Sequence, residues 1–306
     1  MIVYRELSSL SKDLGVSKSS LYKLSNSINK NYHKVEIPKK NGGTRVLSVP
    51  SENLKEVQRK ITKVILSKET VSIHTTAYRY GASTAYNASH HVNKDVVLKL
   101  DILHFFDSIL YSDVKDKVFP AEKYSEQIRT LLAILCYHKD SLPQGAPSSP
   151  AITNIIMRDF DNTVGEWCRK KNIAYTRYCD DMTFSGNFDA KEVIGFIKIQ
   201  LRENGFLLNT AKTRVIRRNR SQTVTGIVVN EKINIPADYK RKLRQELYYC
   251  KKFGVNSHMA RMDFDGNEMS YINRLLGKIN YVLSVTPHDK QMLDYKKWLI
   301  NELEYF

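Results

Sequence analysis

Two adjacent aspartates, Asp180 and Asp181, stand inside the stretch TRYCDDMTFSG (176–186), flanked by Tyr175, Tyr178, Met182 and Phe184, which suit a β-hairpin. Neighbouring carboxylates repel and are poor strand formers, so something must compensate them. A solvated turn would leave them merely tolerated, whereas a divalent cation turns clustered carboxylates into a binding site. A third acid favours the cation. The run DVVLKLDILHFFDSI (95–109) reads as a mostly buried strand that ends at Asp101, and an unpaired carboxylate is expensive in such a place. Hard oxygen ligands of this kind suit a divalent metal ion.

The elements that must position these acids follow from periodicity. Leu10, Leu14, Leu21 and Leu24 have helical spacing over residues 8–30, with a restart after Gly15 and a serine cap, which predicts a small two-helix cap. VEIPKKNGGTRVLSVPS (35–51) predicts two short strands around a basic turn, where Asn41, Gly42 and Gly43 supply backbone freedom and Lys39, Lys40 and Arg45 cluster. Leu54, Val57, Ile61, Val64 and Ile65 mark a helix over 53–67, and another is expected over 125–139. LPQGAPSSPAITN (142–154) holds a Pro-Gly-Pro turn, a serine-rich cap and the start of a long helix. A helix over about 190–204, short strands over 205–236 and a basic helical region after Pro236 complete the pattern; Lys240, Arg241, Lys242 and Arg244 share one stretch of it.

Bulk properties narrow the partner. The chain has 306 residues, 42% of them hydrophobic, enough for one large or two modest cores. A formal charge of +16, from 48 Lys and Arg against 32 Asp and Glu, points to a polyanion, nucleic acid first. No apolar run approaches the roughly 18 residues of a spanning helix, and the opening MIVYRELSSLSKDLG is charged where a signal peptide is apolar, so no membrane partner and a cytoplasmic location are expected. Cys136, Cys168, Cys179 and Cys250 form no C-x-x-C pair and read as reduced thiols, with no zinc site. His90 and His91, being adjacent, point to different sides and are a poor metal pair.

A strand carrying Asp101, a Q-G-x-P loop before a helix and a Y-x-D-D hairpin, in that order, resemble the reverse transcriptases. LKLDILHFF (98–106), LPQGAPSSPAITN, YCDD and NTAKT (209–213) are similar to the first four palm motifs, VTGIVVN (224–230) lies where a primer-contacting hairpin follows, and KKNGGTR (39–45) matches the basic fingers turn. The resemblance covers roughly residues 35–300. It implies an α+β right-hand polymerase fold: an N-terminal helical cap over 1–34, fingers over 35–94, a palm with an antiparallel sheet over 95–236 and finger elements inserted near 110–140, and a helical thumb over 237–306.

The resemblance also implies roles. Asp101, Asp180 and Asp181 would hold two Mg²⁺ ions, with Lys212 a proton donor to pyrophosphate. Arg45 with Lys39 or Lys40 would meet the triphosphate of an incoming dNTP, with Gln144 and Gly145 near nucleotide and template. Phe106 falls at the sugar-gating position that excludes a 2′-hydroxyl, while Phe105 belongs in the core.

Asn87, Ala88 and His91 reproduce the N-A-x-x-H signature of retron reverse transcriptases, Val224, Thr225 and Gly226 their V-T-G signature, and LLGKINYVLSVTP (275–287) resembles their thumb. Cys179 stands where the commonest retron motif has alanine. With no endonuclease, integrase or ribonuclease H segment after the thumb, a compact retron enzyme is expected. That implies a cognate structured noncoding RNA of the msr-msd type, contacted by the two signatures and by Lys240, Arg241, Lys242 and Arg244. It also implies priming from an internal guanosine 2′-hydroxyl, branched multicopy single-stranded DNA (msDNA) as product, and an accessory effector protein in anti-phage defence. The rivals are another bacterial defence or group II-like reverse transcriptase, and a non-catalytic RNA-binding scaffold that restrains a toxin; the presence of all three carboxylates argues against the scaffold.

Overall fold

The computed structural model describes residues 3–38 and 42–304, which form two compact units. The first takes in residues up to Ala82 together with Leu98–Val215; the second takes in Ser83–Val97 and the chain from Ile216.

The first unit opens with the expected cap, helices α1 (Leu7–Leu14) and α2 (Lys18–Asn26). Gly15 ends α1 at φ 58°, a left-handed conformation that costs glycine little, and Ser17 caps α2 by accepting from Ser20 N. Strands β1 (Tyr32–Pro38) and β2 (Thr44–Pro50) pair antiparallel from Tyr32↔Pro50 to Pro38↔Thr44, and α3 (Glu52–Val64) follows. Further on come the short turn α5 (Tyr111–Asp113) and α6 (Glu126–Cys136), preceded in the second unit by α4 (Thr84–Ser89).

A five-stranded sheet carries the site. Its strands are β3 (Val96–Leu103), β4 (Ala174–Tyr178), β5 (Asp181–Gly186), β6 (Leu207–Leu208) and β7 (Arg214–Arg217), in the order β4-β5-β3-β6 with β7 also pairing β3. Strand β3 does not end at Asp101 as its sequence suggested. It runs two residues further because Ile102 and Leu103 pair with Leu208 and Leu207. Helices α7 (Ser149–Ile156), α8 (Arg158–Lys170) and α9 (Ala190–Glu203) accompany the sheet. The single long helix expected after the serines is two, because Met157 takes φ −82°, ψ 0° between them.

One core gathers side chains from the cap, α3, the sheet and its helices, among them Leu10, Ile61, Leu98, Ile152, Phe160, Met182 and Phe184. Burying such side chains contributes about 1.5 to 3 kcal/mol each, which holds the sheet rigid enough to fix the acids on it. All four cysteines are free and buried, in line with reduced thiols.

The second unit has its own core. Strands β8 (Thr223–Val224) and β9 (Ile227–Val228) form a minimal hairpin, and helices α10 (Ala237–Phe253), α11 (Val255–Arg261), α12 (Glu268–Val285) and α13 (Lys290–Leu303) follow. Leu243, Leu247, Tyr271, Leu275, Ile279 and Val282 pack at helical spacing in that core together with Ala88 and Val97. Glu246 fastens α10 to α12, accepting from Arg274 and Lys278 at 2.6 Å each and from Tyr271 Oη at 2.9 Å. Among the described residues no helix is long and apolar enough to cross a membrane.

Gly165 on α8 shows how tightly the first unit is built. A Cβ there would stand 2.0 Å from His74 Nε2, and His74 Nδ1 donates to the Tyr175 carbonyl at 3.3 Å on β4. Gly165→Ala should therefore destabilise the protein by about 1 to 3 kcal/mol, the usual cost of overpacking. Adding His74→Ala should recover most of the loss in urea denaturation, and a Gly165→Ala protein as stable as the parent would refute the close approach.

Candidate active site

Asp180 sits in a two-residue hairpin turn, and Asp181 opens the strand that follows it. Tyr178 of β4 pairs with Asp181 of β5, which leaves Cys179 and Asp180 as the turn. Cys179 takes φ 61°, a left-handed value uncommon for a residue with a side chain and frequent at functional sites. Arg177 Nη1 donates to the Cys179 carbonyl at 2.8 Å and helps hold that conformation.

Asp101 comes to the turn from the neighbouring strand. Ile102 N donates to the Asp180 carbonyl at 3.1 Å, so the backbones of the two acids are joined directly. Asp101 is 5% exposed; its Oδ1 accepts from Asn209 Nδ2 at 3.0 Å and its Oδ2 from Lys212 Nζ at 2.7 Å. Asn209 N also donates to the Asp101 carbonyl at 2.8 Å. The motif lysine Lys212 is otherwise solvent-exposed, and its hydrogen bond to Asp101, reinforced by the three carboxylates, raises its pKa.

The charges are felt throughout the cluster. Asp181 as a residue is exposed, yet the protein mass around its carboxyl, and then the charges of Asp180 and Asp101, push it up to about 6 against the opposing pull of Lys99 and Lys212. A carboxyl raised in the folded state favours its protonated form, so ionising it at neutral pH costs stability that a nearby cation offsets. Lys99 and Asp101 share a face of β3, two residues apart.

The donor chemistry suits a hard divalent cation. Three carboxylates supply oxygen, and the adjacent Cys179 does not compete as a soft ligand because burial pushes its thiol up to about 12. Among the described residues no three His, Cys, Asp or Glu side chains are already gathered as a cage. Asn209 and Lys212 each take one lone pair of an Asp101 oxygen, which leaves acceptor capacity on both oxygens.

Phe106 is half-buried and meets the buried Phe105 edge-on, with ring centroids 5.5 Å apart. The Phe106 carbonyl accepts from Leu142 N at 3.2 Å, which ties it to the loop bearing Gln144 and Gly145. Gln144 is exposed. Gly145 lies against β2: a Cβ would stand 2.6 Å from the Ser48 carbonyl oxygen, so this glycine serves a contact within the protein. Arg45 is exposed on β2 opposite Ile37. Lys39, Lys40 and the turn residue Asn41 lie outside the described residues.

The two short signatures meet in the second unit. Asn87 Nδ2 donates to Thr225 Oγ1 at 3.4 Å, and Thr225 Oγ1 donates to the Thr84 carbonyl at 3.1 Å. Thr225 and Gly226 form the β8–β9 turn with φ 46° and 82°, the two positive values of a tight hairpin, and the first is an outlier for a β-branched side chain. Asn87 is 1% exposed, and His91 and Val224 are fully buried; burial pushes His91 down to about 3, keeping it neutral. Of these three side chains, Asn87 braces the turn through Thr225. In the basic stretch of α10, Arg241, Lys242 and Arg244 are exposed, but Lys240 is half-buried and ion-paired with Asp289.

Sequence reasoning passed over Asn209, Lys99 and, above all, Arg177. An arginine alternating with Tyr175 on a buried strand needs a buried partner, which was a usable signal.

Residues 37–229 match the family model described as reverse transcriptase (RNA-dependent DNA polymerase). The chain is 32% identical to the Myxococcus xanthus retron Mx65 reverse transcriptase over 76% of this chain, a match spanning 60% of that enzyme's length. It is 30% identical to the Escherichia coli retron Ec73 reverse transcriptase (88% of this chain, 89% of the relative) and 28% identical to that of retron Ec83 (87% and 86%). Distant likenesses to solved structures include a Candida albicans telomerase (12% identity, TM-score 0.44, 93% of this chain and 64% of that one) and a foamy viral protease-reverse transcriptase (12%, 0.47, 100% and 50%). The family match and the retron relatives carry the conclusion by themselves: with its mixed helices and sheets, the chain belongs to the reverse transcriptase family, the RNA-dependent DNA polymerases, and within it to the retron enzymes.

Proposed function

We propose that this protein makes branched msDNA by copying part of a cognate msr-msd-type RNA from an internal guanosine 2′-hydroxyl, and that it acts with an effector protein in anti-phage defence in the cytoplasm. The observation that carries the catalytic part is the backbone link between Asp101 and Asp180, which brings acids from two strands to one place beside Lys212. The likeness to relatives named as retron reverse transcriptases supports the retron part of this reading. In this reading fingers span 35–94, palm 95–236 and thumb 237–306.

Asp101, Asp180 and Asp181 hold two Mg²⁺ ions, which when bound supply the charge that stabilises the transferring phosphoryl group. Lys212, raised in pKa and already aimed at Asp101, holds a proton for the departing pyrophosphate. Arg45, with Lys39 or Lys40, meets the triphosphate of a dNTP, and Gln144 reaches the nucleotide from a loop that Gly145 keeps pressed to β2. Phe106 lies beneath the sugar. Thr225 and Gly226 position the primer side, with Asn87, His91 and Val224 fixing their turn from within.

Incubating the protein with its copurified RNA, dNTPs and Mg²⁺ should yield DNA joined to RNA by a 2′,5′ linkage, which debranching enzyme releases with a free 5′ end. Asp180→Asn and Asp181→Asn should each lose about a hundredfold or more in synthesis while still binding RNA, because an amide is a poor substitute for a carboxylate ligand. A linear product indifferent to debranching would sink the retron mechanism, and near-normal synthesis by both variants would sink the metal site. Phe106→Ala should raise ribonucleotide use relative to deoxynucleotides; unchanged discrimination in an active variant places the gate elsewhere.

The exposed trio on α10 serves as a phosphate contact. Neutralising Arg241, Lys242 and Arg244 should weaken RNA binding and flatten its salt dependence, by somewhat less than about one unit of slope per lost contact. Lys240→Ala, which breaks the Asp289 pair, should change the melting temperature more than the slope. An unchanged slope in the triple variant would mark these residues as a solvated helix face.

A further inference from the structure

Behind the catalytic turn lies an ion pair that no motif accounts for. Arg177 and Asp161 are both fully buried, and the guanidinium grips the carboxylate with three hydrogen bonds: Nε to Oδ1 at 2.8 Å and to Oδ2 at 3.1 Å, and Nη2 to Oδ2 at 2.6 Å. Tyr175 Oη donates to Asp161 Oδ1 at 2.8 Å. Asn154 Oδ1 accepts from Arg177 Nη2 at 3.5 Å and from Thr75 Oγ1 at 2.9 Å, and Asn154 Nδ2 donates to the Ala77 carbonyl at 2.9 Å. The one guanidinium nitrogen turned from this network, Nη1, donates to the carbonyl of Cys179, the left-handed residue immediately before Asp180.

Two features separate this arrangement from ordinary core packing. A buried ion pair seldom adds stability over apolar side chains of the same volume, so stability alone gives little reason to keep one here. And its free donor ends on the peptide that sets the direction of Asp180. Asp161 also cancels a positive charge that would otherwise sit, unscreened, three residues from Asp180 and oppose a cation there.

We infer that Arg177 and Asp161 are positioning residues for metal binding: the pair clamps the Cys179 carbonyl, fixes the turn in the conformation that aims Asp180, and does so without leaving net charge beneath the site. This rests on the proposed metal role of the three acids. Partners of metal ligands of this kind change metal affinity or activity by about 10- to 100-fold when altered.

The test compares the parent with two variants. Arg177→Lys keeps the charge facing Asp161 but lacks the fork needed to reach Cys179 at the same time. Arg177→Met with Asp161→Leu replaces the pair by apolar volume and is expected to keep a cooperative melt near that of the parent. Mn²⁺ binding followed by electron paramagnetic resonance, without turnover, should weaken about tenfold or more in both; primer extension should show a comparable fall in kcat with the KM for dNTP little changed. Parent-like Mn²⁺ affinity and kcat in either folded variant would overturn the inference, and so would loss of the cooperative melt in both, which would make the pair a brace of the whole unit. A parent protein that binds Mn²⁺ but makes no DNA would instead overturn the proposed function.

Discussion

Like charges a few ångströms apart repel by about 1 to 4 kcal/mol, depending on how much water screens them, and Asp101, Asp180 and Asp181 must be held together against that repulsion. The backbone does the holding. Ile102 N binds the Asp180 carbonyl, and the Tyr178↔Asp181 pair closes the two-residue turn that contains Asp180. The rest of the first unit serves this constraint. Its core locks the sheet, Lys212 and Lys99 supply opposing charge, and the carboxyl of Asp181 is raised by burial first and by the neighbouring acids second.

Two of the side-chain-bearing residues at positive φ lie in the motif turns. Cys179 and Thr225 both carry side chains at positive φ in two-residue hairpins, and each is held by a polar group from another element: Arg177 on the Cys179 carbonyl, Asn87 on the Thr225 hydroxyl. Residues in sparsely populated conformations persist only when their surroundings over-determine them. This gives a physical sense to the N-A-x-x-H and V-T-G signatures, whose separation in sequence conceals that Asn87 and Thr225 share a hydrogen bond. His91, on the same signature as Asn87, is buried and neutral.

What was legible in the sequence is what local rules govern. Helical spacing of leucines revealed the two N-terminal helices, alternation and turn residues revealed the hairpins, and the order of acids and loops revealed the family. The mistakes lie where tertiary context decides. Strand β3 outruns Asp101 because β6, far along the chain, offers partners for Ile102 and Leu103. The close approach of Gly145 to the Ser48 carbonyl of β2 was not visible either. Lys240 looked like its basic neighbours until Asp289 was seen to claim it. Each depends on a residue distant in sequence, which periodicity does not report.

Arg177 is the instructive case, since it stands three residues before Asp180 within the motif that first drew attention. On a strand buried on both faces, an arginine promises either a wrong strand assignment or a buried acid, and desolvation makes the second necessary once the first is ruled out. The acid is Asp161, on the helix that precedes the strand, and Tyr175 binds it from the same face. Because the guanidinium is saturated on one side by Asp161 and Asn154, its remaining donor has a fixed direction, and that direction meets the turn. Rigidity at the acids thus derives from charge neutralised in the interior: the pair that cannot be explained by stability is explained by the geometry it imposes on its neighbour.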